Sequence, residues 1–292
     1  MKPRHILLAV AIAAIWGFNF VVIKTGVATV PPFLLTGLRF LFSAVPAIFF
    51  IKAPNVHWRY IMGFGFVLGV GQFGFLFLAM RMGLAAGLTS LVLQLQAPFT
   101  MFFAWMILHE LPRARQLWGA SVAFGGMAVI AYERWSGPDA LPLLLCLIAS
   151  AGWAGANIIA KQAKPQNTLS FVIWSSLVPP LPMFALSYAF EDHAQLATAL
   201  LHPTMLAVAS LLFLAYASTL FGYGAWNFLL KTYAAGTVAP FSLLVPLFGI
   251  ASGFIVFAER FDSYEIIGAA LVITGLLIAN LNWTRKAIPV PN

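Results

Sequence analysis

The feature of this sequence that most constrains its fold is a series of long apolar runs, separated by short polar breaks or by breaks that contain Gly and Pro. A run of about 20 apolar residues is long enough for a helix to cross a bilayer. Within the hydrocarbon core the backbone must satisfy its own hydrogen bonds, which favours helices over strands. We therefore predict an all-α polytopic membrane protein with ten transmembrane helices: Ile6–Lys24, Phe33–Ile51, Tyr60–Met80, Gly87–Leu108, Leu117–Tyr132, Leu141–Ala160, Leu169–Ala189, Met205–Leu230, Thr237–Ala258 and Tyr264–Leu281.

The composition excludes most soluble classes of protein. Of the 292 residues, 62% are hydrophobic and 8% are charged, whereas about 25% of the residues in a soluble domain are charged. This excludes a cytosolic enzyme, a secreted domain and a disordered regulator. Cys146 is the one cysteine, so an internal disulfide and a CxxC motif are excluded as well. We attribute the net charge of +8 to cytoplasmic loops facing lipid phosphates, and expect a lipid bilayer and a small molecule as partners, with no nucleic acid.

The distribution of charge predicts the orientation in the membrane. The first run is expected to be a retained helix, since it continues past the small-residue pairs at which a signal peptide could be cut. With the N-terminus in the cytoplasm and ten alternating helices, 11 basic residues lie inside and 5 outside, in agreement with the positive-inside rule. The inside set is Lys2, Arg4, Lys52, Arg59, Arg113, Arg115, Lys161, Lys164, Lys231, Arg285 and Lys286. We expect both termini in the cytoplasm and a multi-pass membrane protein.

The two halves of the chain share residues at nearly constant offsets. An offset of 149 relates the residues around the fourth and fifth runs to those around the ninth and tenth, and an offset of 137 relates the first run to the sixth. The matches are Ala85–Gly87 with Ala234–Gly236, Glu110 with Glu259, Gly119 with Gly268, Gly126 with Gly275, Trp16 with Trp153, and Lys24 with Lys161. We predict two repeats, residues 1–135 and residues 136–292, of five transmembrane helices each.

An odd number of helices per repeat requires the two copies to have opposite orientations. The loop Glu110–Arg115 is basic and predicted to lie inside, whereas the matching segment Glu259–Glu265 is acidic and predicted to lie outside. Inverted repeats are typical of secondary transporters, in which two mirrored halves enclose a site near the bilayer midplane. Channels and membrane scaffolds can also arise by duplication and stay open as alternatives.

Polar and aromatic residues at membrane depth are candidates for a substrate site. Trp16, Asn19 and Phe20 share one helical face of the first run, and the sixth run repeats the pattern with Trp153 and Asn157. Amides bind either end of a zwitterion, and indole faces cover apolar groups or an ammonium. The predicted substrate-binding residues are Trp16, Asn19, Gln72, Gln94, Trp153, Asn157, Tyr223 and Trp226. Because Gln94 and Gln96 are about 200° apart on a helix, we expect at most one of them to face a cavity.

Each of these residues also has a structural interpretation. A single buried Asn or Gln can simply bond a neighbouring helix. Lys24 and Lys161, at predicted helix ends, are expected to extend towards the membrane surface, where their ammonium groups reach water. Arg39 lies about 9 Å below the predicted outer end of its helix. It could meet a substrate carboxylate, but we favour extension to the surface or pairing with a neighbouring group.

Backbone features fit a protein that moves. Pro98, Pro240 and Pro246 lie inside predicted spans, where they free carbonyl groups and mark candidate hinges, although static kinks are equally consistent with them. Neither Asp nor Glu lies in the middle of a span, and the five His residues lie outside the spans or at their edges. We expect no proton relay of Asp, Glu and His within the membrane, no metal site, no cofactor and no enzymatic activity.

Several short motifs carry a family resemblance that covers nearly the whole chain. They are Trp16–Lys24 (WGFNFVVIK), Gly37–Phe40 (GLRF) with Pro46, Ser90–Gln96 (SLVLQLQ), Gly222–Gly224 (GYG) and Ala239–Pro246 (APFSLLVP). With them the chain resembles the EamA family of the drug/metabolite transporter superfamily, in particular bacterial exporters of cysteine and O-acetylserine. The resemblance implies ten helices in two inverted repeats, a central cavity and export of amino acids or related metabolites. The superfamily also includes exporters of aromatic amino acids, of threonine and homoserine, and carriers of nucleotide sugars.

The hypothesis is an inner-membrane exporter of amino acids and related small metabolites that works by alternating access. Cysteine- and O-acetylserine-like substrates fit the resemblance, and the scarcity of fixed charges favours a broad range that includes aromatic amino acids, threonine and methionine. A passive channel for small metabolites and a non-transporting scaffold are the alternatives. Proton exchange and facilitated diffusion both stay open as the mode of transport.

Overall fold

A computed structural model describes residues 1–134, 140–233 and 235–280. Within these ranges the chain is helical and contains no strand. Eight helices are long and apolar enough to cross a membrane, which confirms the predicted polytopic α-helical class. They are α1 (Pro3–Thr29), α2 (Pro32–Phe49), α3 (Trp58–Arg81), α4 (Ala86–Leu108), α6 (Ala140–Ala163), α7 (Thr168–Phe190), α8 (Met205–Thr232) and α9 (Pro240–Phe257).

Two further helices complete the bundle. They are α5 (Ala114–Arg134) and α10 (Ser263–Asn280). The apolar part of α10, Ser263–Ala279, is shorter than the other spans, so the count of ten membrane crossings stays a prediction, as does the cytoplasmic location of both termini. Short helices at His193–Leu201 and Ala235–Val238 precede α8 and α9. The predicted repeat boundary at residues 135 and 136, the end of the predicted tenth helix at Leu281 and the C-terminus lie outside the described residues.

The first helix is longer than its sequence pattern predicts. It continues to Thr29 and ends before Pro31 and Pro32, since a proline cannot donate to the backbone ladder of a helix. Lys24 was predicted at a helix end and instead lies five residues before it. The apolar and small residues that follow Lys24 carry the helix on for one more turn.

Glycines let α5 and α10 pack backbone against backbone. A Cβ atom added to Gly119 would lie 2.5 Å from the carbonyl oxygen of Gly275, and one added to Gly126 would lie 2.6 Å from that of Gly268. The two contacts are one heptad apart on each helix, so they form a single antiparallel seam. In a lipid environment such close contact stabilises helix pairs by van der Waals packing, because lipid tails provide no hydrophobic driving force.

Glycines also set the crossings that surround the middle of the bundle. A Cβ on Gly17 of α1 would lie 2.8 Å from the backbone of α9 at Gly249. Gly152 of α6 lies against the backbone of α3 at Gly71, and a Cβ on Gly152 would be 2.9 Å from the amide nitrogen of Gln72. Trp16 and Trp153 are sequence neighbours of these glycines, so each close crossing fixes the position of an indole.

The regular helical ladder is interrupted in six of the long helices: α2 and α7 are broken at residues 45–46 and 176–179, and α3, α4, α8 and α9 contain π-helical or 3-10 segments. Segments Val67–Gly74 of α3 and Phe213–Phe221 of α8 are π-helical, with one extra residue per turn. Segments Leu93–Leu95 and Ala239–Leu243 form 3-10 turns at the first half of α4 and the start of α9. Pro98 and Pro246 follow these two turns and lack the N–H groups that would bond the carbonyls of Gln94 and Ser242.

Adding one methyl group to the α5–α10 seam should destabilise the protein. Gly126→Ala places a Cβ against the carbonyl of Gly268, and such overpacking costs about 1–3 kcal/mol. Gly125→Ala is the matched control, because its Cβ would meet nothing within 4 Å. We expect the melting temperature of the purified protein to fall for Gly126→Ala and to stay near the wild-type value for Gly125→Ala. Equal melting temperatures for the two variants would contradict this packing.

Candidate functional site

A central cavity of about 410 Å³ lies between the helices. Residues of α1, α2, α3, α4, α6, α8, α9 and α10 line it, so it is formed by eight of the ten helices and not by one pair of helices. The lining comprises Trp16, Asn19, Phe20, Arg39, Gln72, Phe73, Leu76, Ser90, Leu93, Gln94, Gln96, Ala97, Trp153, Asn157, Ser218, Tyr223, Trp226, Ser242, Leu243, Val245 and Leu276.

All eight residues that the sequence suggests for substrate binding lie along this cavity. They are Trp16, Asn19, Gln72, Gln94, Trp153, Asn157, Tyr223 and Trp226. The three proposed hinge residues, Pro98, Pro240 and Pro246, are not among the residues that line it, and they lie in or next to the 3-10 turns of α4 and α9. Proximity to one cavity is a geometric finding, and the role of each residue is a separate question.

Aromatic rings form one wall of the cavity. The indole ring of Trp16 lies 5.6 Å from the ring of Tyr223 and 5.3 Å from that of Trp226, measured between centroids. Its Nε1 donates a hydrogen bond of 3.0 Å to the carbonyl oxygen of Ser218, in the π-helical segment of α8. A π-helical segment shifts the backbone register and presents carbonyl groups to side chains. This wall offers flat apolar surface with its polar N–H already bonded.

A second wall carries an amide network between α4 and α6. The Nδ2 group of Asn157 donates to Oε1 of Gln96 at 2.8 Å and to Oγ1 of Thr100 at 3.1 Å. Both Gln94 and Gln96 line the cavity, so the prediction that at most one of them faces it is wrong. The 3-10 turn Leu93–Leu95 changes the angle between consecutive residues and invalidates the regular-helix spacing on which that prediction depends.

The oxygen atoms of two further side-chain amides accept no hydrogen bond from the described part of the chain. Oδ1 of Asn19 and Oε1 of Gln72 are buried, line the same cavity and accept no hydrogen bond. A buried polar atom without a partner costs about 1–3 kcal/mol. Such atoms around a cavity are the groups that a bound molecule can satisfy.

Arg39 is the cationic residue of the cavity lining. Its side chain is 3% exposed, so it does not extend to the membrane surface, and within the described residues no carboxylate pairs with it. Its Nη2 donates to Oγ1 of Thr219 at 3.3 Å, and its guanidinium lies 4.0 Å from the centroid of the Phe73 ring. Nε and Nη1 have no acceptor. The expected extension of Arg39 to the surface is therefore wrong, because the α2–α8 contact encloses the side chain.

A largely buried ion pair joins α1 to the end of α9 and the start of α4. Nζ of Lys24 lies 2.7 Å from Oε1 of Glu259, with 26% and 9% of the two side chains exposed. The same carboxylate accepts hydrogen bonds from the backbone N–H groups of Ala86 and Gly87, at 2.7 and 2.9 Å. These N–H groups begin α4, where a negative charge is stabilised by the helix dipole. The expected extension of Lys24 towards the surface does not occur, because Glu259 neutralises it there.

A corresponding ion pair joins Lys161 of α6 to Glu110, which follows α4. Half of each side chain is exposed, so this pair is much more hydrated than the pair of Lys24. Glu110 and Glu259 each follow a residue in the left-handed conformation, His109 with φ of 55° and Ala258 with φ of 52°. The backbone therefore directs both carboxylates in the same way at the ends of α4 and α9.

Sequence reasoning ranked contact between Arg39 and a substrate below the other interpretations of that residue, and it missed both ion pairs. A signal for the pairs was present, since the offsets that relate Lys24 to Lys161 and Glu110 to Glu259 bring two cations and two acids into corresponding positions. No local pattern identifies the partner of Arg39, because Thr219 and Phe73 come from distant helices. Within the described ranges, no cluster of three His, Cys, Asp or Glu side chains is placed to hold a metal ion.

Comparisons with known proteins show that the chain is similar to membrane transporters. A model of the EamA-like transporter family matches residues 3–132 and 140–281. A probable amino-acid metabolite efflux pump of Escherichia coli strain K12 is 40% identical over 298 residues, which cover 99% of both chains. A protein of the same description from Salmonella typhimurium is 40% identical over 95% of each chain. A solved crystal structure with 16% identity matches 96% of this chain and 98% of its own with a TM-score of 0.65, which shows a shared fold.

Proposed function

The chain belongs to the EamA-like transporter family, and we propose that it exports amino acids and related small metabolites across the bacterial inner membrane by alternating access. The observation that carries the proposal is the cavity of about 410 Å³, which holds paired indoles and unpartnered amides between apolar, membrane-crossing helices. Polar groups at this depth are unfavourable unless they serve a substrate or a partner. The efflux-pump names of the relatives from Escherichia coli and Salmonella typhimurium support the same class of substrate.

In this proposal, different residues of the cavity bind different parts of the substrate. The amides of Asn19, Gln72, Gln94 and Asn157 orient the zwitterionic part, with Asn157 acting through its bond to Gln96. The rings of Trp16, Trp153, Tyr223 and Trp226 cover the side chain. Flat apolar walls accept side chains of different shape, which fits a range from cysteine- and O-acetylserine-like solutes to threonine, methionine and aromatic amino acids.

The moving parts are two inverted halves, residues 1–135 and residues 136–292. Corresponding local structures support this division. Each half contains one π-helical segment, in α3 and in α8, and one 3-10 turn before a proline, in α4 and in α9. In each half a left-handed residue then precedes a glutamate that pairs with a lysine of the other half. Pro98, Pro240 and Pro246 are the proposed hinges at the 3-10 turns.

The two ion pairs are the proposed gates. With the N-terminus inside, Lys24 and Glu259 lie at the outer end of the cavity, and Lys161 and Glu110 lie at the inner end. The outer pair is largely buried and is held by two additional backbone N–H groups, whereas the inner pair is half exposed. Hydrogen bonds to a charged group contribute about 1.5–3 kcal/mol, and exposed pairs about 0–1 kcal/mol. The outer gate is therefore the stronger of the two.

Removing one cavity amide should reduce transport. Asn19→Ala removes a buried acceptor that faces the cavity, so we expect saturable flux of labelled amino acids in proteoliposomes to fall about tenfold, the equivalent of one charge-assisted hydrogen bond. Ser176→Ala is the control, because its hydroxyl bonds a carbonyl within α7, away from the cavity lining. Wild-type flux in Asn19→Ala and in Asn157→Ala would refute the site assignment.

The same proteoliposomes distinguish a carrier from a pore. Alternating access predicts saturation of flux and stimulation by unlabelled substrate on the far side of the membrane. A passive channel predicts flux that is linear in concentration and insensitive to the far side, and a scaffold predicts none. Either of the last two results would contradict the proposal.

Weakening the outer gate should open the cavity to the outside. The reporter is a single cysteine at Ala97, which lines the cavity, in a Cys146→Ala background. We expect Glu259→Gln to increase the rate of labelling by a membrane-impermeant maleimide from the periplasmic side several-fold. The matched control, Glu110→Gln, breaks the exposed inner pair and should not increase it. Equal labelling rates in the two variants would contradict the assignment of the gates.

A further inference from the structure

The unsatisfied groups of the cavity are unequal in charge. On the donor side, Nε and Nη1 of Arg39 carry three of the five N–H groups of the guanidinium and have no acceptor. On the acceptor side, Oδ1 of Asn19 and Oε1 of Gln72 have no donor. All three residues line the same cavity and are buried. The donor side carries a full positive charge, whereas the acceptor side is neutral.

In the part of the chain that the structure describes, no acidic side chain of the cavity lining balances the positive charge of Arg39. Among the described residues that line the cavity, none is Asp or Glu, and Glu259 is paired with Lys24. Phe73, whose ring lies 4.0 Å away, and Thr219 stabilise the guanidinium without neutralising it. A buried charge without a partner is strongly unfavourable, and in a membrane protein it is retained where a ligand or a counter-ion meets it.

The chemistry of the missing partner follows from these groups. A guanidinium matches the two oxygens of a carboxylate with two parallel hydrogen bonds. We propose that Arg39 binds the free carboxylate of the substrate, and that Asn19 and Gln72 accept hydrogen bonds from the nitrogen next to it. The inference rests on the proposed function and names the substrate class of the same cavity.

The lack of an acidic side chain among the described lining residues also affects how the cavity would accommodate an ammonium group. A zwitterion brings an ammonium group into a cavity that already contains Arg39 and in which no carboxylate of the described residues could neutralise the ammonium. An N-acylated amino acid keeps the carboxylate and still offers one amide N–H to Asn19 or Gln72, but it carries no positive charge. The cavity therefore requires the carboxylate and does not require the ammonium group, so that N-acyl amino acids are substrates as good as or better than the free amino acids.

Binding of serine and three of its derivatives measures the contribution of the carboxylate separately from that of the ammonium group. The ligands are L-serine, N-acetyl-L-serine, L-serinamide and N-acetyl-L-serinamide, and their binding to the purified full chain in detergent is measured by calorimetry, with the leucine and phenylalanine sets run in parallel. We expect the acids to bind at least about 30-fold more tightly than the matching amides, because the amides leave the guanidinium unpaired. We expect N-acetylation of the acid to preserve or increase affinity. Equal affinity of acids and amides, a requirement for the free ammonium, or no binding of any acid would overturn the proposal.

Variants at two positions test the residues themselves. Arg39→Met should abolish the preference for acids over amides, and because it removes an uncompensated buried charge it should not lower the melting temperature. Arg39→Lys keeps the charge without the planar fork and should retain part of the preference. Asn19→Asp adds the missing negative charge at nearly constant volume, so affinity for N-acetyl-L-serine should fall at least about tenfold relative to L-serine. Retention of the acid preference in Arg39→Met would overturn the role of Arg39.

Flux measurements distinguish failure of this inference from failure of the proposed function. Saturable flux that accepts serine and serinamide equally would leave the exporter in place and remove Arg39 as the carboxylate site. Selective binding of acids without saturable flux of any of them would retain the carboxylate site and contradict the exporter. Selective binding together with acid-selective flux supports both.

Discussion

The bundle depends on places where two helix backbones touch. Gly17 on α1, Gly152 on α6 and the glycines of the α5–α10 seam each lie so close to a neighbouring backbone that a Cβ would overlap with it. In lipid, where apolar burial alone does not bring helices together, such contacts supply the packing that association requires. They also have a second effect. Trp16 and Trp153 adjoin two of these crossings, so the packing that holds the bundle together also directs the two indoles to its centre.

Several helical segments with irregular backbone geometry lie beside the cavity. In a membrane, freed carbonyl and amide groups are tolerated when they are enclosed by protein or line a cavity. The π-helical segments of α3 and α8 and the 3-10 turns of α4 and α9 all contribute residues to the lining. The bond from the Trp16 indole to the Ser218 carbonyl shows how one such freed group is satisfied. These four segments lie beside the cavity, where a solute would bind, whereas the breaks in α2 and α7 at residues 45–46 and 176–179 contribute nothing to its lining.

The sequence predicts the helices and the membership of the cavity better than the contacts within it. The apolar runs determine the helical class because the bilayer leaves few alternatives. The helical spacing of the polar and aromatic residues, together with their depth in the predicted spans, identified eight residues that all line the cavity. The errors have physical causes. Gln94 and Gln96 were expected to point in different directions because the spacing of a regular helix was assumed, whereas a 3-10 turn includes Gln94. Arg39 and Lys24 were expected at the membrane surface because their partners, Thr219, Phe73 and Glu259, lie far away in sequence. Local patterns carry no information on such long-range contacts.

Taken together, the cavity lies among eight of the helices and, within the described residues, its lining carries one uncompensated cation and two neutral acceptors without a donor. Its most direct test is an experimental structure of the full chain in a lipid nanodisc at saturating N-acetyl-L-serine. We predict ligand density in the central cavity, with the carboxylate on the Arg39 guanidinium and the amide nitrogen facing Asn19 or Gln72. Density at a different location, such as the pocket between Phe33 of α2 and Met183 of α7, or an empty central cavity at saturation, would contradict the account.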